Sequence, residues 1–137
     1  MTYFKAKSES NLKSAGILIS NNHHASSVHC SYYSCVQLIL HIFINDFKKT
    51  EDQINQESQL GSKNENGYHN WIRNQILREF FTRDYNAGTD FNKFIGNLMN
   101  ARVKADYKNI SIEAKHSKQA LSYANTIIEL LKESFAV

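Results

Sequence analysis

"HHASSVHCSYYSCVQLILHIFINDF", residues 23–47, is the most apolar segment of the chain and sets its architecture. Ala25, Val28, Tyr32, Val36, Ile39 and Phe43 recur at spacings of three and four, which lays them along one stripe of a helix. Tyr33, Leu40 and Ile44 add a second stripe beside the first. An apolar surface this wide belongs to a helix contacted on several sides, the central helix of a bundle.

The flanking segments supply its neighbours. A helix is expected over about 9–20, capped by Ser8 or Ser10, with Leu12, Ala15 and Ile19 inward. Another is expected over about 67–83, carrying Trp71, Ile72, Ile76, Leu77 and Phe80. "DYNAGTD", 84–90, reads as a turn, after which Asp90 caps a helix over about 91–106 with Phe91, Phe94, Ile95, Leu98 and Met99 on one face. After a break at 107–110, Ser111 caps a last helix, about 112–134, with Ile112, Ala120, Tyr123, Ala124, Ile127, Leu130 and Leu131 inward. Between the second and third helices lie residues 48–66, polar except for Ile54 and Leu60, and these read as the one long loop. No period-2 alternation long enough for a strand occurs, and no proline interrupts the pattern. The expectation is a single all-α domain over 1–137, an up-and-down antiparallel bundle of about five helices.

Bulk properties narrow the function classes. A net charge of +3 and a pI near 8.8 are mildly basic, which permits an acidic partner such as RNA without demanding one. Cys30 and Cys35 stand five residues apart, on different faces of one helix, so they read as two reduced thiols of a cytoplasmic protein. The polar start "MTYFKAKSESNLKS" does not resemble a signal peptide. The longest apolar run, "CVQLILHIFI", is broken by Gln37 and His41 and is short for a bilayer, so no membrane is expected.

Chemical motifs are sparse. Six histidines are present, yet none forms a ligand pair with a carboxylate at metal-binding spacing, and no glycine-rich phosphate loop occurs, so no metal and no cofactor is expected. The anomaly is Arg102. It falls on the apolar face of its helix one turn after Leu98, and Asp106 and Tyr107 follow closely. A guanidinium is seldom buried without partners. It serves either as a structural ion pair, with Asp106 at i, i+4 or with a carboxylate on another helix, or as a phosphate-facing fork that Asp106 orients. Tyr32 and Tyr33 read as core aromatics, or one of them, Tyr33 in the first place, as a wall of a groove beside Arg102.

Three segments carry a resemblance. "SSVHCSYYSCVQLIL" resembles the helix of HEPN-superfamily proteins in which small residues precede a Tyr-Tyr pair and an apolar run. "YHNWIRNQILREFF" stands where those proteins carry a histidine-started segment. "LMNARVKADYKNISIEAKHSKQALSYANTIIELL" resembles their arginine-to-Asp-Tyr segment and the helix after it. The match is to the uncharacterised group with an RxxxDY pattern, relatives of toxin–antitoxin HEPN proteins. The resemblance implies a five-helix up-and-down bundle, commonly a homodimer. It also implies RNA or a nucleotide as ligand, and a nucleotidyltransferase or an antitoxin as protein partner. In the nuclease members an arginine is followed four to six residues later by a histidine, and the pair forms a metal-independent ribonuclease site. Arg102 takes the arginine position, but the window after it holds Asp106, Tyr107 and Lys108 and no imidazole to act as general acid or base. His69, on another helix, is the remaining candidate.

The expected function is therefore a non-catalytic module that binds RNA, a nucleotide or a partner through Arg102, Asp106, Tyr107, Lys108 and Tyr33. One alternative is a ribonuclease toxin with a nonstandard site built from Arg102, Asp106, Tyr107 and His69. The other is a structural or regulatory subunit in which Arg102 braces helices.

Overall fold

The computed structural model describes residues 2–137. Among them the chain is all-helical, with six helices in a bundle: α1 Phe4–Ser20, α2 His24–Asn45, α3 Glu51–Asn64, α4 Tyr68–Arg83, α5 Tyr85–Tyr107 and α6 Ala114–Phe135. The central role expected of 23–47 holds, because α2 packs against α1, α4, α5 and α6. Val28, Tyr32, Cys35, Leu38, Ile39, Ile42 and Phe43 are all nearly solvent-free. Among the described residues, α2 alone is long and apolar enough to cross a membrane by length and mean hydropathy, but 67% of its most apolar window is buried against its neighbours. That burial is what a bundle's core helix requires.

Small residues set how close α1 lies to α2. The Ser8 hydroxyl donates to the Ser34 carbonyl at 2.6 Å, and the Ser27 hydroxyl donates to the Ala15 carbonyl at 2.8 Å. Ala15 between them is fully buried. These two hydroxyls each meet an acceptor, so they are buried without a desolvation penalty.

Several expectations need correction. Residues 48–66 are not a loop, since most of them form α3. Thr50 and Gln53 close a reciprocal capping box, Glu51 and Asp52 favour the positive end of the helix dipole, and Lys63 favours the negative end. These local terms stabilise a helix that buries only Ile54 and Ser58. The helix count is thus six rather than five.

The turn at 84–90 is absent as well. Asp84, not Asp90, is the cap, accepting from the Ala87 amide at 3.1 Å, and α5 begins at once. Gly88 permits this tight junction, because a Cβ there would lie 2.8 Å from the Phe81 ring. Gly67 is the N-cap before α4, and its φ of +110° suits glycine and few other residues. The break before α6 spans 108–113, and Glu113 rather than Ser111 caps that helix in a box with His116. α1 starts at Phe4, a turn and a half earlier than the capping serines suggested.

Candidate functional site

Arg102 lies on the inner face of α5, below Phe91, Ile95 and Leu98, and is 7% exposed. Helical periodicity places it there, one turn beyond Leu98. The neighbouring helices then supply its surroundings. From α2 comes the Tyr32 ring, with the guanidinium carbon 4.9 Å from its centre. From α5 itself comes Tyr107, at 5.7 Å. The guanidinium is flanked by two rings, whose faces attract a cation.

Its ionic partner is Asp106, with Nη1 at 3.7 Å from Oδ2. The same oxygen is 2.9 Å from Nδ1 of His29, one α2 turn before Tyr32 and Tyr33. Asp106 therefore divides one oxygen between an arginine and an imidazole. The contact to His29 is a hydrogen bond, whereas that to Arg102 is long for one. Nε of Arg102 is buried and has no acceptor at all. A buried donor without an acceptor carries a desolvation cost that a bound acceptor would relieve.

His69 joins from α4. Its Nδ1 lies 2.7 Å from the Tyr32 hydroxyl. Burial, and secondarily the Arg102 charge, pull the His69 pKa below its ordinary value. Burial pushes that of Tyr32 up, with Arg102 partly opposing the rise. The phenol therefore keeps its proton and donates it to a neutral imidazole, which places the ring's own proton on Nε2. Tyr33 stands between the two histidines, its ring centre 4.6 Å from that of His29 and 6.0 Å from that of His69. In front of Asp106, His29 and Tyr107 lies an open hollow of about 450 Å³, lined also by Ala25, Ser26, Cys30 and Ala105.

Arg102, Asp106, Tyr107, Tyr33 and His69 thus come together as one cluster. Lys108 does not join it. It is the exposed C-cap residue of α5, held there by its backbone amide bonding to Lys104. The ion-pair alternative is present in part, since Asp106 does meet Arg102, but this contact leaves the guanidinium under-satisfied. The sequence reading left His29 out of the site and weighed Tyr32 only as a core aromatic or a groove wall. The i, i+4 spacing of His29 and Tyr33 on α2 was the available signal.

Cys35 is buried beside the α6 backbone, its thiol pushed up to about 12 by burial, and is inert as a nucleophile. Both cysteines are free. Among the described residues, no three His, Cys, Asp or Glu side chains gather as metal ligands would. No protein-family model, no curated protein and no solved structure matches the chain, so the cluster's geometry and chemistry carry the functional argument.

Proposed function

We propose that the Arg102 cluster is an anion site that binds the phosphate backbone of RNA, on a HEPN-like bundle. The observation that carries this reading is the guanidinium itself: buried, flanked by rings, sharing one carboxylate oxygen with His29, and with Nε unpartnered. A planar fork with spare donors suits a phosphate. Two imidazoles and the exposed Tyr107 ring surround it with further donors and a stacking surface. The five-helix up-and-down arrangement belongs to this proposal, with α3 as an addition to it. The short connections between most of the helices support it.

Anisotropy of a labelled single-stranded RNA, titrated across salt concentrations, is the test. Arg102→Gln should weaken binding about tenfold and flatten the log–log salt dependence by about 0.7, one phosphate contact. Circular dichroism would confirm that the variant stays helical. No affinity at low salt, or an unchanged slope in Arg102→Gln, would sink the reading.

A specific observation also favours ribonuclease activity. The imidazole missing after Arg102 has two spatial substitutes, His29 on α2 and His69 on α4. Expression should then arrest growth, and Arg102→Ala or His29→Ala should relieve the arrest. A harmless wild-type chain counts against this version.

A homodimer fits the same face, because Val103 and Tyr107, one turn apart on α5, leave exposed apolar surface beside the cluster. Light scattering should give twice the chain mass, and Val103→Lys should halve it. A neighbouring gene for a nucleotidyltransferase or an antitoxin would name the protein partner.

A further inference from the structure

A second concave site lies away from Arg102, between α5 and α6. Its volume is about 350 Å³, at the small end of ligand pockets, which run to about 1,000 Å³. The apolar lining is Val28 and Ala120 at the base, both 1% exposed, with Ala101 beside them and Ile110 and Ile112 on the link between the helices. The walls are polar. Asn97, Asn100 and Lys104 climb one face of α5, and His116, Gln119 and Tyr123 climb one face of α6. None of the six is acidic, so the cleft's only formal charge is positive.

The two ends of the cleft differ. The 108–113 link joins the end of α5 to the start of α6, so Lys104, Ser111 and His116 gather at the link end. Asn97 and Tyr123 lie about two turns away, roughly 10 Å along the helices. At the link end the Glu113 amide donates to His116 Nδ1 at 3.0 Å, which leaves Nε2–H as the ring's free donor. With the Lys104 ammonium and the Ser111 hydroxyl, that end offers three donors to an anion. The Glu113 carboxylate caps α6 and pairs with Lys115 at 3.6 Å, and does not line the cleft. The far end offers carboxamides, each presenting a donor and an acceptor, around an apolar floor. There the Tyr123 ring is packed against Phe94, 5.8 Å between centres.

We propose that this cleft binds a small phosphate monoester that carries a flat ring with hydrogen-bonding edges. The phosphate lies on Lys104, Ser111 and His116. The ring lies over Ala101, between the two helices, read at its edge by Asn100 and Gln119. The site is separate from the RNA face and does not depend on it.

The test is a set of amide-resonance titrations of the full chain with 5′-AMP, 5′-CMP, pyridoxine 5′-phosphate, adenosine and inorganic phosphate. Saturable shifts are expected at residues 97–104 and 110–123, with an intact monoester binding more tightly than adenosine or phosphate alone. The three monoesters distinguish a nucleobase from another heteroaromatic ring as the preferred ligand. Lys104→Ala should weaken monoesters about tenfold and leave adenosine unchanged, the expected size for one charged hydrogen bond. Gln119→Ala should do the reverse, weakening adenosine and leaving inorganic phosphate unchanged. Both side chains are exposed, so both variants should fold. Absence of saturable shifts with every monoester overturns the proposal. So do shifts confined to His29, Tyr33, Arg102 and Tyr107, which would assign the ligand to the RNA face instead.

Discussion

At the residue scale, Arg102 is held by several weak contacts rather than one strong pair. The side chain of its partner Asp106 keeps 19% of its surface exposed, and it also bonds His29. Removing one partner of a fully buried pair costs about 3–5 kcal/mol. Here Asp106 keeps His29 and some water, so Arg102→Ala should cost less, about 2 kcal/mol, measured by urea denaturation. A loss above the buried-pair range would make Arg102 chiefly a brace.

His69 gives a pH prediction. Its folded pKa is lowered, by burial first and by Arg102 second, and that of His41 is lowered by burial and by Lys5. The unfolded chain therefore binds protons on these rings more readily than the folded one. Stability should be full above the ordinary imidazole value of about 6.5 and fall as pH drops below it. Protonating His69 also removes the acceptor for the Tyr32 hydroxyl. His69→Gln should flatten the decline in Tm between neutral and mildly acidic pH, and His41 should maintain the remainder. An identical decline in the variant would show that His69 does not contribute.

At the scale of elements, α3 is held by its ends and by one close approach. Gly61 lies against the Trp71 indole so closely that a Cβ there would overlap the ring. Gly61→Ala should therefore displace α3 and cost about 1–3 kcal/mol as an overpacking change, despite alanine's better helix propensity. Faster amide exchange confined to 51–64 and altered Trp71 fluorescence would report it. Thr50→Ala opens the capping box and should cost about 1 kcal/mol. α3 was legible in "TEDQ" at 50–53, a reciprocal cap pattern. It was hidden by the lack of an apolar stripe, since a helix that covers only one neighbour needs few buried residues. α5 was partly hidden for a related reason. Gly88 looks like a turn residue, and only the nearness of the Phe81 ring shows it as a packing residue inside a helix.

For the whole molecule, the core depends on large side chains from several helices meeting at α2. Phe80 is fully buried between Phe91 and Phe135, with ring centres at 4.8 and 4.9 Å. Phe80→Ala should cost about 3–5 kcal/mol, enough to unfold much of a marginally stable domain. Calorimetry showing a small shift would mean that the core collapses around the cavity.

The sequence by itself determined the helical class, the central place of 23–47 and the inward position of Arg102, because apolar periodicity acts within one segment. It could not determine what Arg102 meets. Asp106 is four residues away, but His29, Tyr32 and His69 come from α2 and α4. Which face of α2 turns toward α5 depends on packing across the whole bundle. Only the fold brings the His29 and His69 imidazoles to Asp106 and Tyr32 beside Arg102. The fold also decided that α5 and α6 diverge enough to leave a polar cleft, because side-chain volume across two helices sets their separation and no local pattern records it.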